Sequence, residues 1–272
     1  MIKLTPEQNG QVIDLGGQVI VTSRRDPAPG IIFEPGTQGI TLRNFTLRGR
    51  GIRIHGAHHT LEDFNVDAFG TGVFVESGSH HNTIQRGDIK AGAVGIYLEH
   101  ASHHNHVLLN RIHDCGYWSD QAHLPFRLPR LGWERREGIA VDASTDNVIE
   151  RNILLDNAFA GITLYKNCGE YGQAKRQQGA NNNIIFENVI EGSRVKVWNK
   201  AREWRDLVTW GCSCDGEWVP LWKVPKQPYQ QWFNFACLTT GLFIKGVPVM
   251  SPFRWRIWKV ADEAEGNVIG AH

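Results

Sequence analysis

The chain has 272 residues, with 29 basic and 28 acidic side chains and a net charge of +1 at pH 7. This balance gives no electrostatic reason to expect a nucleic-acid partner. Hydrophobic residues make up 41% of the sequence, which is enough for a large core and too many for a disordered chain. Because no run of about 18 apolar residues occurs, neither a membrane-spanning helix nor a membrane partner is predicted.

Residues 1–38 are predicted to form an N-terminal cap. Their apolar residues Val12, Ile13 and Val19–Val21 are expected to cover the first unit of the repeats that follow. Repeat proteins need such caps because an open end exposes strand edges. No apolar segment typical of a signal peptide follows Met1. We therefore expect a secreted or periplasmic protein if the chain is a mature form, and a cytoplasmic one otherwise.

From residue 39 the chain repeats two short β segments. One segment begins at Thr41, Thr60 and Thr83, at intervals of 19 and 23 residues. The other begins with glycine, as in Gly51–Ile54 and Gly72–Val75. Apolar residues alternate with a period of two and many are β-branched, which predicts strands rather than helices. Strands this short are stable only when stacked units share a core, so the repeat predicts a β-solenoid.

The Gly-Ile-x-Leu and Asn-x-Ile-x-x-Asn-x-Ile patterns resemble those of the pectin-lyase-like superfamily, which includes uronate lyases and epimerases. The resemblance covers residues 39–193 and resumes at Arg254–Trp258 and Asn267–Ile269. It implies an all-β, right-handed parallel β-helix, a scaffold that supports many different reactions. Residues 194–272, which contain eight of the ten tryptophans, are predicted to form irregular coils of the same domain.

Two intervals in the repeat are longer than one coil and predict inserted loops. Gly95 and Gly138 are 43 residues apart, and Asn147 and Asn183 are 36 apart. The extra residues lie near 116–137 and 169–180. The first insertion enters before a glycine-led strand and the second leaves after the next such strand. Both are therefore expected to flank the outward face of one sheet and to form a cleft there.

The cleft is predicted to contain a row of carboxylates. Residues two apart on a strand share a face, so the fourth residue after each glycine points outward if the Ile and Leu point inward. This position holds His55, Glu76, Glu99, Asp142 and Tyr165. Carboxylates about 4.8 Å apart repel one another unless they are protonated, paired or metal-bound. We therefore predict a hard-cation site, Ca²⁺, at Glu76, Glu99 and Asp142. The alternatives are a group with a raised pKa, and neutralisation by Arg53 and loop arginines.

The resemblance also implies catalytic and binding residues. In similar uronate lyases a lysine removes the proton beside the substrate carboxylate while Ca²⁺ neutralises that carboxylate. Lys166, at the root of the second insertion, matches this lysine, and Arg176 and Arg127 are candidates for binding substrate carboxylates. Further candidates for substrate binding are His123, Tyr97, Tyr165, Glu170 and Tyr171.

A second catalytic candidate precedes the first insertion. His113 and Asp114, followed by Tyr117, are similar to part of the Asp-Pro-His-Asp motif of mannuronan epimerases. The proline and the first aspartate of that motif are missing from this sequence. Histidine and tyrosine are suited to act as base and acid on opposite faces of a sugar ring.

Three histidine pairs recur at the turn into the second strand of a coil, at His58–His59, His80–His81 and His103–His104. Stacked imidazoles would form a ladder able to bind a transition metal. The neighbouring residues favour an internal asparagine ladder instead, in which the histidines occupy equivalent turn positions. The members of that predicted ladder are Thr60, Asn82, Asn105, Asn147 and Asn183.

These features predict a carbohydrate-active enzyme that acts on an acidic polysaccharide or oligosaccharide. The leading prediction is a polysaccharide lyase that acts by β-elimination beside a uronate carboxylate. A glycoside hydrolase with two of the carboxylates as catalytic groups and a uronate C5-epimerase are alternatives. A non-catalytic glycan-binding or assembly module is the alternative from another class. Asn267–Gly270 begins a further strand near the end of the sequence, so a homo-oligomer is expected to cover that end.

Overall fold

The computed structural model describes residues 1–117, 137–158, 160–165, 176 and 178–192. It also describes the backbone of short strands between residues 197 and 269. Strands dominate these residues, and the one helix among them is a 3₁₀ turn at Pro6–Gln8. No helix among the described residues is long and apolar enough to cross a membrane.

Sheet A is formed by the short glycine-led strands, each of which pairs in parallel with its neighbours along the stack. Within the described residues it contains, in spatial order, β1 (Ile2–Leu4), β3 (Ile31–Phe33), β5 (Ile52–Ile54), β7 (Val73–Val75), β9 (Ile96–Leu98), β12 (Ile139–Asp142), β15 (Ile162–Tyr165) and β20 (Val208–Trp210).

Sheet B is formed by the second strands of each coil, also in parallel. Its described members are β2 (Val12–Val21), β4 (Thr41–Gly49), β6 (Thr60–Ala68), β8 (Thr83–Ala91), β10 (His106–Leu108), β11 (Arg111–His113), β13 (Val148–Glu150), β14 (Ile153–Leu155), β16 (Ile184–Phe186), β17 (Val189–Glu191) and β23 (Val268–Ile269). Two antiparallel pairs complete the described strands, β18 (Val197–Trp198) with β19 (Trp204–Arg205) and β21 (Glu217–Val219) with β22 (Trp255–Ile257).

Each coil passes from a strand of sheet A through a turn to sheet B and back to the next strand of sheet A. Register is kept from coil to coil, as in the parallel pairs Ile52↔Val73 and Val73↔Ile96. The prediction of an all-β parallel β-helix is therefore confirmed. Residues 1–38 supply β1, β2 and β3, which are the first strands of the two sheets.

The core lies between the sheets and is filled by alternate residues of each strand. Val73 and Val75 are fully buried, whereas Phe74 between them is partly exposed. The same inward positions in neighbouring coils hold Ile52, Ile54, Ile96, Leu98, Ile139 and Val141, all at most 1% exposed. The inward direction predicted for the Gly-Ile-x-Leu segments is thus confirmed, and the alternate residues face outward.

Sheet B bends at one residue in each coil, and that residue has a left-handed backbone. These bend residues are Asn44, Asp63, Arg86, Leu109, Arg151 and Glu187, with φ between 51° and 58°. In the later coils the bend separates two short strands, such as β10 and β11. Non-glycine residues adopt this conformation at some energetic cost, so the packing of the coils must hold it in place.

Two asparagine ladders run through the turns of the stack. In the first, Asn105 Oδ1 accepts hydrogen bonds from the backbone N–H and the side-chain amide of Asn82, at 3.0 and 3.1 Å. Asn147 and Asn183 continue this ladder as predicted. The inclusion of Thr60 was wrong, because Thr60 pairs with Thr83 at the start of a strand, one residue beyond the ladder position. His59 occupies that position, since Asn82 Oδ1 accepts its N–H.

The second ladder directly follows the bend of sheet B and was not predicted. It consists of Asn110, Asn152 and Asn188, all at most 2% exposed. In the earlier coils the same position holds the stacked rings of Phe45 and Phe64, 5.7 Å apart. Gly87 lies between the two kinds of stack. A Cβ atom there would lie 2.4 Å from Cζ of Phe64, so only glycine fits beneath that ring.

Candidate functional site

The outward face of sheet A carries two columns of side chains. The second residue after each glycine forms the column Arg53, Phe74, Tyr97, Ala140 and Thr163. The fourth residue forms the column His55, Glu76, Glu99, Asp142 and Tyr165, of which Tyr165 is described by its backbone alone. The predicted carboxylate row is therefore present on one face of one sheet.

An aromatic surface lies in the first column. The rings of Phe74 and Tyr97 stack with their centroids 4.9 Å apart and their planes 7° apart. The guanidinium of Arg53, from the preceding coil, lies over the Phe74 ring on the side away from Tyr97, with Cζ 5.4 Å from the ring centroid. Both rings are partly exposed on the outward face of sheet A, so they offer apolar surface for contact with a sugar ring.

Beside the aromatic pair lies a cluster that joins three coils. Asp142 is fully buried, and its Oδ2 accepts a hydrogen bond of 2.8 Å from the Tyr97 hydroxyl. Arg176 donates from Nη2 to Oε1 of Glu99 and lies 3.4 Å from the same Asp142 oxygen. The Arg176 side chain is only 10% exposed. One guanidinium therefore links two carboxylates of the row and lies next to a tyrosine.

The remaining carboxylate of the row, Glu76, also has a cationic partner, and Glu99 has a second neighbour. Nε of Arg53 lies 3.0 Å from Oε1 of Glu76, as an ion pair without hydrogen-bond geometry. Nδ1 of His100 lies 3.0 Å from Oε1 of Glu99, and its Nε2 is 3.3 Å from Oγ of Ser77. Arginine neutralisation, the alternative raised by the sequence, is thus the arrangement that the structure contains.

The residues predicted to bind Ca²⁺ fit that ion poorly in this arrangement. A calcium site needs six to eight oxygens directed at one point. In this cluster Arg176 lies between Glu99 and Asp142, and Arg53 pairs with Glu76. Among the described residues, these carboxylates do not form a group whose ligand atoms all lie close to one another. The calcium site stays a prediction.

His113 and Asp114 lie elsewhere, at the end of β11 in sheet B. Nδ1 of His113 is 2.9 Å from Oδ2 of Asp114, and its Nε2 is 2.9 Å from Oδ1 of Asp88. Arg111 also binds Asp88, at 3.1 Å. The imidazole therefore connects two carboxylates on sheet B, and the structure does not place it in the carboxylate row of sheet A.

Five of the predicted site residues lie outside the described part of the chain. They are His123, Arg127, Lys166, Glu170 and Tyr171. One described flank of each insertion belongs to the sheet that carries the row, because β12 follows the first insertion and β15 precedes the second. These two strands are neighbours in sheet A, paired at Asp142↔Tyr165.

Two residues of the site were not predicted as binding residues. Phe74 and His100 both contact predicted members, Tyr97 and Glu99. Phe74 and Tyr97 occupy the same position in successive repeats, so the repeat pattern could have identified Phe74 as a neighbour of Tyr97. His100 follows the row by one residue, and its contact depends on a turn conformation that the repeat pattern does not specify.

A separate cluster of imidazoles lies at the turn after the carboxylate row. His58, His81 and His104 form one column and His80 and His103 another, with stacked rings 4.8 to 5.0 Å apart. Desolvation, followed by the neighbouring imidazoles, lowers the pKa of His81 and His103 below the usual value of 6.5. The imidazole ladder considered from the sequence is therefore present beside the first asparagine ladder.

Comparison with known proteins agrees with this architecture. A family model described as "Right handed beta helix region" matches residues 29–203. No curated protein matches the sequence significantly. An alginate lyase from Paenibacillus sp. str. FPU-7 is similar at 12% identity over 71% of this chain and 88% of that chain, with a TM-score of 0.37. The enzymatically active domain of bacteriophage CBA120 tailspike protein 2 is similar at 10% identity over 69% and 34%, with a TM-score of 0.36. Neither similarity bears on the reaction.

Proposed function

Since the chain belongs to the right-handed β-helix family, we propose that it is a carbohydrate-active enzyme that cleaves an acidic polysaccharide by β-elimination. The observation that carries the proposal is the cluster of Tyr97, Glu99, Asp142 and Arg176 beside the stacked ring of Phe74. It combines a surface suited to a sugar ring with a guanidinium suited to a uronate carboxylate.

Arg176 is the residue proposed to bind the substrate carboxylate. Glu99 and Asp142 both contact its Nη2, which fixes the guanidinium in one orientation. Its Nε is buried and has no hydrogen-bond acceptor among the described residues. A substrate carboxylate at the edge formed by Nε and Nη2 would supply that acceptor, because this edge offers the planar pair of donors that arginine uses for carboxylates. Binding there would also withdraw electrons from the adjacent C–H bond and make its proton more acidic.

Lys166 is proposed as the base, on the basis of the resemblance to uronate lyases and of its position directly after β15. A neutral lysine amine removes the proton beside the carboxylate. The electron pair of that C–H bond forms a carbon–carbon double bond, and the pair of the glycosidic C–O bond leaves with the oxygen. The leaving oxygen takes a proton from solvent. In general, cations close to a lysine favour the neutral amine that this step requires.

The first experiment follows ultraviolet absorbance of the new double bond on a panel of polyuronates and glycosaminoglycans. On the polymer that reacts, Arg176→Lys is expected to lower kcat/KM by roughly 10- to 100-fold, because lysine keeps the charge without the planar pair of donors. Lys166→Ala should abolish turnover while binding is retained. Adding Ca²⁺ or a chelator to the same assay tests the calcium prediction.

Arg151→Ala is the matched control, because Arg151 is an exposed arginine on sheet B that pairs with Glu187 at 2.7 Å. It should change kcat/KM by less than about twofold. Equal losses for Arg176→Lys and Arg151→Ala would contradict the assignment of Arg176. Normal turnover by Lys166→Ala would remove that lysine from the mechanism.

A glycoside hydrolase is the second candidate, favoured by the linkage of Glu99 and Asp142 through one guanidinium. Hydrolases of sugars use two carboxyl groups near one glycosidic bond. New reducing ends without a new double bond would select this candidate. Binding of the polymer without either product would select a glycan-binding module instead.

A further inference from the structure

The turn between sheet A and sheet B carries five imidazoles that the proposed reaction does not use. His58, His81 and His104 are exposed, and His80 and His103 are half-buried. They come from three consecutive coils. Parallel bridges at Ala57↔His80 and His80↔His103 hold the backbones of these coils in register.

Histidine is not required by the backbone of this turn. His58, His81 and His104 have left-handed φ angles of 60°, 55° and 54°. The same conformation is adopted one and two coils later by Asp146 and Asn182, which shows that other residues meet the demand of the turn. Thr145 likewise takes the bridge position that His80 and His103 occupy in earlier coils. A surface turn alone therefore does not account for five imidazoles in this place.

The nitrogen positions suit a metal ion. Nδ1 of His80 and Nδ1 of His81 are joined by a hydrogen bond of 2.9 Å, as are the Nδ1 atoms of His103 and His104, and a bound ion would replace the shared proton. Two nitrogens bound at right angles to one ion, each at about 2.0 to 2.1 Å, are about 2.9 Å apart. Ligand atoms of His58, His80 and His81 also lie within 4.8 Å of one another, which makes a third ligand available from the preceding coil.

We propose that His58, His80 and His81 form a binding site for a late first-row divalent cation such as Ni²⁺, Cu²⁺ or Zn²⁺, with His103 and His104 as a second chelating pair one coil away. Imidazole is a preferred ligand of these ions and a poor one for Ca²⁺ or Mg²⁺. Right-angled nitrogen pairs favour tetragonal coordination, as in Cu²⁺ and Ni²⁺ sites. An ion bound at His58, His80 and His81 would join two neighbouring coils by a contact outside the core.

The test is a calorimetric titration of the metal-free protein with Ni²⁺ at pH 7.5, repeated on His81→Asn. Asparagine is chosen because Asn182 occupies the same turn position, so the variant should fold. Saturable binding to the wild type and at least a tenfold loss of affinity in His81→Asn are expected. His106→Gln is the control, because His106 pairs with Glu150 on sheet B and lies outside the cluster; its affinity should equal that of the wild type.

Two further readouts separate ligation from a structural effect. The Tm of His81→Asn without metal should equal that of the wild type, and Ni²⁺ should raise the Tm of the wild type more than that of the variant, which keeps only the pair His103 and His104. The Cu²⁺ form should show nitrogen hyperfine splitting in its electron paramagnetic resonance spectrum, and the variant should show fewer coupled nitrogens. Absence of saturable binding, or equal Ni²⁺ affinity for the wild type and His81→Asn, would overturn the proposal.

Discussion

At the scale of single residues, His59 shows how the stack selects a protonation state. It is 1% exposed, and its Nδ1 accepts a hydrogen bond of 3.1 Å from the N–H of Ile40 while Nε2 lies 3.0 Å from the carbonyl of His55. Burial lowers its pKa from the usual 6.5 to about 4. A proton on Nδ1 would remove the acceptor of Ile40, so the native fold requires the neutral ring.

This pKa predicts a loss of stability in mild acid. Between about pH 6.5 and pH 4 the unfolded chain binds a proton at His59 that the native state does not, so the free energy of unfolding falls as the pH falls through this window. The full contribution is about 3 kcal/mol. His59→Asn should keep the bond from Ile40, as asparagine does in the other coils, and should flatten this part of the pH profile.

Denaturant unfolding of the wild type and His59→Asn at pH 7.5, 6, 5 and 4.5 measures the effect. The difference between the two proteins at pH 7.5 reports the loss of packing, including the contact of the ring with Phe33 at 4.7 Å. Only the change of that difference with pH reports the protonation of His59. Parallel pH profiles for the two proteins would contradict the prediction.

At the scale of elements, the second asparagine ladder is predicted to stabilise sheet B strongly at each bend. Oδ1 of Asn152 accepts from the N–H and the side chain of Asn110, and its Nδ2 donates to the carbonyl of Val107 at 2.9 Å and to Asn188 at 2.9 Å. Asn152→Ala would leave several buried polar groups without partners. We expect a loss of about 2–4 kcal/mol in the free energy of unfolding.

Urea unfolding checks this value against Asn65→Ala, which removes the same atoms from an exposed position on β6. That control should change the free energy of unfolding by less than about 0.5 kcal/mol. Similar unfolding midpoints for Asn152→Ala and Asn65→Ala would show that the ladder is energetically unimportant.

The repeat made the strands predictable, because the alternation of buried and exposed residues is a local property. Val73, Phe74 and Val75 alternate in the structure as they do in the pattern. The first asparagine ladder could be predicted because its members share one position in each unit. The second could not be distinguished from a solvated turn, since its first positions hold Phe45, Phe64 and Gly87 instead of asparagine.

The contacts of the candidate site were less predictable, because they join residues far apart in the chain. The hydrogen bond from Tyr97 to Asp142 spans 45 residues, yet the two strands are neighbours in sheet A. Neutralisation by Arg53 and loop arginines was an alternative to the predicted cation site, but the repeat could not select Arg176, because the second insertion has no repeat pattern. The carboxylate row followed from the repeat, and its partners did not.

At the scale of the whole molecule, stability should depend on which coils are neighbours. Duplication of residues 73–95, which is one complete coil, places Gly87 next to a second Gly87 and keeps every strand in its sheet. Deletion of the same residues removes Gly87 and brings Asn110 into its place beneath the ring of Phe64. A Cβ atom at the Gly87 position would lie 2.4 Å from Cζ of that ring, so the side chain of Asn110 would overlap with it. We therefore expect the duplication to fold and the deletion to be destabilised by several kcal/mol, as in an overpacked core.

Circular dichroism and thermal unfolding of both variants test this prediction, and small-angle scattering should show the duplicated form lengthened by about 4.8 Å. A deletion variant that also carries Phe64→Ala provides the control, since it removes the ring that causes the overlap. Equal stability of the deletion with and without Phe64→Ala would show that the overlap is not the cause.

The bend residues of sheet B are positions at which the stability of this protein can be raised by substitution. Leu109 holds a left-handed φ of 56° with its side chain 49% exposed, so it bears the conformational cost without filling the core. Asn44 occupies the same bend in the first coil with a residue type that tolerates the conformation better. The bend therefore recurs in each coil although the residue type at the bend varies. Substitution of such bend residues by asparagine or glycine would stabilise the scaffold and leave the outward face of sheet A, which carries the proposed site, unchanged.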